Sequence, residues 1–156
     1  MKTFEELGVS EAIRHAIEEI GFVQPMPVQE EVIPYLLGNA TPDSDQETEN
    51  DVIALAQTGT GKTAAFGIPV LQRIASTPHP QLGEIGRGLP LALILAPTRE
   101  LCLQIADDLR DFSKYLEGIH IEAVYGGASI EQQIRALRKG VQVIVATPGR
   151  LIDLMK

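Results

Sequence analysis

The sequence predicts an α/β fold, a parallel sheet flanked by helices on both faces. Three observations predict it. Short apolar runs at 52–55, 91–95, 118–124 and 141–146 alternate with longer segments whose apolar residues recur every three or four positions. The turn after the first run, Ala56-Gln-Thr-Gly-Thr-Gly-Lys-Thr63, stands between a strand pattern and a helix pattern, as a phosphate-binding loop requires. A chain of 156 residues, 44% hydrophobic and 22% charged, is long enough and apolar enough for one domain with its own core.

The elements follow in order. Phe4 precedes a first helix, capped by Ser10, with Ile13, Ala16, Ile17 and Ile20 on one face and Gly21 closing it. Pro25 and Pro27 stiffen the next stretch, and Pro27 suits the first position of a second helix through Val28, Val32, Ile33 and Leu36, bent at Pro34. Residues 38–51 form a polar, acidic loop without periodicity. Val52–Leu55 predicts a strand, and Ala64 to Ile74 the helix after the phosphate loop. Thr77 to Pro90 is a loop rich in Pro and Gly. Leu91–Leu95 predicts a strand buried on both faces. A long helix then opens near Thr98, its cap, with a stripe of Leu101, Ile105, Leu109, Phe112 and Leu116. Gly118–Val124 predicts a strand, Tyr125-Gly126-Gly127 a turn, and Ser129 with Gln132 a capping box for a helix carrying Ile130, Ile134 and Leu137. Gly140 ends that helix. Val141–Ala146 predicts the fourth strand and Thr147-Pro148-Gly149-Arg150 a turn.

Composition excludes several classes. No apolar run reaches membrane-spanning length, and the first residues do not read as a signal peptide, so a cytoplasmic protein without a membrane partner is expected. His15, His79, His120 and Cys102 show no metal-ligand spacing. Net charge is −8, which by itself argues against nucleic acid. The excess is local, because five of the 21 acids lie in 41–51, a stretch without Lys or Arg.

In the phosphate loop, Gly59 and Gly61 let the backbone curl so that N–H groups face phosphate oxygens, with the helix dipole behind them. Lys62 would reach the β- and γ-phosphates, and the Thr63 hydroxyl would ligate Mg²⁺. A plain glycine turn between a core strand and a core helix is the simpler alternative. In parallel sheets ligands sit past the carboxyl ends of the strands. The segments 56–63, 96–101, 125–127 and 147–150 all fall there and together would make one continuous surface.

These segments, taken together, resemble the first RecA-like domain of DEAD-box RNA helicases, a P-loop NTPase fold, over nearly the whole chain. Gly21-Phe-Val-Gln-Pro-Met-Pro-Val-Gln29 resembles the Q motif, with Phe4 placed 17 residues before Gly21 as in the family. Ala56 to Thr63 resembles motif I, in which the family also begins with Ala. Ala96-Pro-Thr-Arg-Glu-Leu101 with Gln104 resembles motif Ia, Gly126-Gly127 the GG motif, and Thr147-Pro-Gly-Arg150 motif Ib. The resemblance implies ATP bound with Mg²⁺ by Phe4, Phe22, Pro27, Gln29, Ala56, Gln57, Thr58, Gly59, Thr60, Gly61, Lys62 and Thr63. Phe22 would pack on the base. Gln29 would read adenine N6 and N7, since an amide offers both donors and acceptor. The resemblance also implies that Pro97, Thr98, Arg99, Gly126, Gly127, Thr147, Pro148, Gly149 and Arg150 touch the backbone of an RNA strand, independent of its sequence. Without the family, Phe22 reads as a core aromatic, and Arg99 and Arg150 as solvated charges near helix starts, an unfavourable place for a cation.

Two departures stand out. Met26 occupies a position where the family usually has Thr, which would cap the helix opened by Pro27. The 156 residues also end before the Asp-Glu-Ala-Asp and Ser-Ala-Thr motifs and before a second RecA-like domain. Residues 1–156 are therefore expected to be a truncated first domain: a Q-motif region at 1–38, the acidic loop at 39–51 and an α/β core at 52–156. Alone it would bind nucleotide without turnover, because the Mg²⁺ carboxylates and the arginine finger are missing. Self-association would cover the phosphate-loop strand, left without a neighbour. Two other readings stay open: a P-loop ATPase unrelated to nucleic acid, and a non-enzymatic short form that binds ATP or partner proteins.

Overall fold

The computed structural model describes residues 2–38, 51–56, 61–76 and 90–156. They form two compact units, one drawn from 1–73 with 111–115, the other from 74–110 with 116–156. No described helix is long and apolar enough to cross a membrane.

The first unit is helical. It contains α1 (Glu11–Glu19), α2 (Pro27–Leu36) and most of α3 (Lys62–Ser76). Leu7, Ile13, Ile17, Ile33, Ile68 and Leu71 are almost fully buried and make its core. The apolar spacing of α1 accounts for the burial of Ile13, Ala16 and Ile17. Gly21 follows its C-cap in the left-handed region, φ 97°, as expected of a C′ glycine. Ser10 stands at the N-cap, but its side chain makes no cap hydrogen bond. Its N–H instead donates to Gln72 Oε1 at 2.9 Å, and Gln72 Nε2 donates to Gly8 O at 2.8 Å, fastening the N-terminal segment to α3. Phe22 lies stacked with Phe4 at 6.2 Å and edge-on to Phe112 at 5.8 Å.

The second unit holds a three-stranded parallel sheet in the order β1 (Ala92–Leu95), β3 (Val143–Ala146), β2 (Ile121–Val124). Ala92 and Ile121 both pair with Val143, and Leu95 and Val124 both with Ala146. β3 reads Val-Ile-Val-Ala and is buried throughout, as befits a central parallel strand. Leu137 of α5 (Ile130–Arg138) and Leu151 and Leu154 of α6 (Pro148–Met155) pack on Val124, Ile144 and Ala146. α4 (Arg99–Phe112) sits against the sheet through Cys102, whose thiol donates to Val145 O at 3.1 Å. Burial pushes the Cys102 thiol pKa up, so it is an inert core residue.

Several sequence expectations need correction. Val52–Leu55 is not a strand; Ile53 and Leu55 are 92% and 95% exposed. An apolar run becomes a strand only where a neighbour completes its hydrogen-bond ladder, and no described strand pairs with it. β1 is not buried on both faces, since Leu91, Leu93 and Leu95 are 50–55% exposed. Only β3 pairs with it among the described residues, so it lies at an edge of the described sheet. Leu116 lies beyond α4, which ends at Phe112. Thr147–Arg150 is not a free turn: Pro148 takes the first position of α6, where its fixed φ and missing N–H suit a helix start. β2 and β3 are also shorter than the apolar runs that predict them.

An exposed ionic cluster joins α1 to the 111–115 segment within the first unit. Glu19 accepts from Lys114 Nζ at 2.7 Å and from the Tyr115 hydroxyl, while His15 stacks on Tyr115 at 4.3 Å. The hydrogen bonds from Lys114 and then Tyr115 hold the Glu19 carboxyl below its ordinary pKa, while those same bonds raise Lys114 and Tyr115. A depressed carboxyl contributes stability above its unfolded pKa and loses it as pH falls through the folded one. The raised Lys114 and Tyr115 lose theirs as pH rises through their folded values. The stability difference between wild type and Glu19→Gln, measured by urea denaturation, is therefore expected to be a plateau near neutrality that shrinks at both acid and alkaline ends. A difference unchanged down to acid pH would refute the coupling.

Candidate phosphate loop and sheet-edge site

The phosphate loop belongs to the first unit. Its residues Gln57, Thr58, Gly59 and Thr60 lie outside the described residues. α3 starts at Lys62 because Ala64, Ala65, Ile68 and Leu71 give it a buried face. Gly61 precedes it at φ 82°, a left-handed backbone that glycine adopts without strain. Its carbonyl accepts the first helical bond, from Ala65 N at 3.1 Å. The Lys62 ammonium donates to Ala56 O at 2.7 Å, spanning the loop from end to start. Thr63, half-buried, follows in the first turn. Unshared N–H groups of a helix start, a left-handed glycine and a lysine reaching back over the loop fit a nucleotide phosphate. A cation finds less: among the described residues no three His, Cys, Asp or Glu side chains come together. Thr63 is thus one oxygen of an incomplete ligand set.

Gln29 lies directly against this loop. It is 2% exposed; its Oε1 accepts from Met26 N at 2.9 Å and its Nε2 donates to Gly61 O at 3.3 Å. Met26 has no oxygen with which to cap α2, and the Gln29 amide supplies the reciprocal bond at this helix start. A side chain on Gly61 would run into the Gln29 amide. Pro27 holds the first position of α2. Phe4 and Phe22 stand together in the aromatic cluster with Phe112.

The remaining sequence-identified residues gather in the second unit, at the carboxyl ends of β1, β2 and β3. Thr98 caps α4 through Oγ1, which accepts from Leu101 N at 3.2 Å. The Arg99 guanidinium lies 5.1 Å from the Tyr125 ring centroid, over its face. A Cβ on Gly127, φ 88°, would come within 3.2 Å of Arg99 Nη1, so the guanidinium also borders the glycine turn. Arg150 Nη1 donates to Ala128 O at 3.0 Å and to Gln133 Oε1 at 3.1 Å. Pro97, Gly126, Pro148 and Gly149 are exposed on the same three turns, and Thr147 is half-buried.

Sequence reasoning missed Gln133. It is 5% exposed, and its Nε2 donates to Tyr125 O at 3.1 Å. The signal was present: Ile130, Gln133, Ile134 and Leu137 share the helical stripe spacing, and a polar residue in such a stripe is a buried group that needs partners.

Comparison with known proteins adds a family. The DEAD/DEAH box helicase model matches residues 26–156. The ATP-dependent RNA helicase DeaD of Escherichia coli strain K12 is 44% identical over 154 residues, which cover 99% of this chain and 22% of that protein. The protein of the same name from Klebsiella pneumoniae is 43% identical, with 99% and 21% covered. The chain thus spans about a fifth of the length of these relatives. The crystal structure of a hypothetical ATP-dependent RNA helicase from Sulfolobus tokodaii superposes with a TM-score of 0.72 at 35% identity, covering 94% of this chain and 36% of that one.

The Gly61–Gln29 packing yields a test. Gly61→Ala adds both left-handed strain, about 1 kcal/mol or more, and a collision with the amide. Gln29→Ala removes the collision alone. Denaturation of the four proteins of this cycle should show Gly61→Ala costing less in the Gln29→Ala background. Equal costs would mean that backbone strain is the whole effect.

Proposed function

The chain belongs to the DEAD/DEAH box helicase family, and we propose that it is the ATP- and RNA-binding portion of an ATP-dependent RNA helicase. The observation that carries this reading is the level arrangement of three turns at one sheet edge, with Arg99 and Arg150 beside the Gly126-Gly127 turn. Guanidinium groups and helix starts at one edge suit a sugar–phosphate backbone and read no base, so the binding is independent of sequence. The whole-chain charge of −8 does not oppose it, since the acidic excess is concentrated in 41–51.

ATP is assigned to the phosphate loop. Lys62 holds the β- and γ-phosphates, and the first turn of α3 contributes N–H groups and its dipole. Gln29 keeps one N–H and one lone pair beyond the two bonds it makes within the chain, enough to meet adenine N7 and N6. Mg²⁺, when bound, neutralises phosphate charge, and Thr63 offers it one oxygen. The Asp-Glu-Ala-Asp motif, which holds the metal and orients water in the family, does not occur in these 156 residues. Taken alone they bind nucleotide and do not turn it over. In the intact protein a second RecA-like domain completes the site. The location is cytoplasmic.

Two measurements follow. ATP turnover by the 156-residue chain, with and without RNA, is expected to be absent, beside Lys62→Ala as control; turnover that Lys62→Ala abolishes would overturn the assignment. In the full-length protein, Arg99→Ala and Arg150→Ala should each weaken single-stranded RNA binding and lower its log–log salt slope by about 0.7. Unchanged slopes would remove the RNA reading.

The half-exposed leucines of β1 and its edge without a described partner support a further part of the proposal, association of two copies of this chain. Light scattering should show mass rising with concentration. A constant monomer mass would exclude it.

A further inference from the structure

We propose that Gln133 is a positioning residue for RNA binding, fixing Arg150 directly and the platform under Arg99 indirectly. The proposal rests on the RNA reading above. Gln133 projects from α5 into a buried position where an apolar side chain would be simplest. An amide there needs partners at both ends, and it has them: Nε2 donates to Tyr125 O at 3.1 Å, and Oε1 accepts from Arg150 Nη1 at 3.1 Å.

The geometry gives this amide a role beyond filling space. Arg150 carries five N–H donors in a rigid fork. Among the described residues its hydrogen bonds, to Gln133 and Ala128, both come from Nη1. Nε and Nη2 remain as the side edge of the guanidinium, the pair that meets two phosphate oxygens at once. Anchoring one nitrogen fixes the plane and leaves that edge for a ligand. Anchoring also removes rotamer freedom that binding would otherwise have to remove. The second arm works through Tyr125. Gln133 holds the carbonyl of the residue whose ring lies 5.1 Å below the Arg99 guanidinium. One side chain thus ties together the turns after β2 and β3, and through Tyr125 the arginine after β1.

The test uses the full-length protein, a fluorescent oligouridylate and a non-hydrolysable ATP analogue. Gln133→Met, similar in length but without hydrogen-bonding ends, is expected to weaken RNA binding about five- to tenfold. Its salt slope should fall by about 0.7, as for Arg150→Ala. In the Arg150→Ala background the same change should cost clearly less than in the wild type, because the direct contact is already gone and only the arm through Tyr125 remains. Gln133→Asn, one methylene too short to span both partners, is the milder second variant should Gln133→Met fold poorly. Circular dichroism and ATP-analogue binding check that each variant is intact. An equal loss from Gln133→Met with and without Arg150 would overturn the proposal, since a general structural defect behaves so. No loss in folded Gln133 variants, with Arg150→Ala still weakening RNA binding, would also overturn it. If Arg150→Ala itself changes neither affinity nor slope, the RNA reading fails and this inference falls with it, an outcome distinct from the other two.

Discussion

β3 is paired on both sides, and this constraint positions most of the chemistry of the second unit. Its last residue, Ala146, is level with Leu95 on one side and Val124 on the other. The pairing continues one step further, with Ala96 N donating to Ala146 O and Thr147 N to Val124 O, each at 2.9 Å. Parallel strands leave a sheet in the same direction, so all three chain exits lie on one edge. A slip of one residue would turn Val143 and Val145 into the positions of Ile144 and Ala146, and the packing of Leu137, Leu151 and Leu154 resists that. Thr98, Arg99, Gly127 and Arg150 therefore owe their common edge to the pairing of three short, largely apolar strands.

How much of this was legible depended on whether the cause was local. Gly21 and Pro27 were read correctly because a left-handed backbone and a fixed φ are properties of single residues. Thr98 was read correctly because a cap reaches only three residues along the chain. The place of β3 was legible because Val143–Ala146 is a largely β-branched apolar run between turn residues, but that it, and not Leu91–Leu95, is the strand buried throughout follows only from the pairing. Val52–Leu55 has the same local character and failed, because a strand is defined by a neighbour that the run itself does not contain. Ser10 stands at the N-cap as read, but the absence of a side-chain cap bond, and the hold of distant Gln72 on its N–H, follow only from the fold. The phosphate-loop motif located Lys62 and Gly61, while the close packing of Gly61 on Gln29 follows only from the fold.

The two buried glutamines make the same point about polar groups. Gln29 and Gln133 are each almost fully enclosed, and each joins a helix to the backbone of a turn that carries candidate ligand contacts. Both would cost free energy if either end were unpaired. Gln29 is found by a motif; Gln133 is found by noticing a polar residue in an apolar stripe. The second route needs no family and applies to any amphipathic helix.

Arg99 opens α4 and Arg150 lies in the first turn of α6, where the helix dipole opposes a cation. From the sequence, that cost favours a ligand as its compensation. The structure supplies other compensations: an aromatic face for Arg99, and a backbone carbonyl with a side-chain amide for Arg150. Helix position alone therefore no longer argues for an anion. What replaces it is stricter. The Arg150 guanidinium, held at one nitrogen, is a cation whose plane is set before any ligand arrives, and Arg99 lies over the Tyr125 ring on a turn that the ladder about β3 keeps level with it. The internal contacts that remove the simpler argument are the ones that give the edge its geometry.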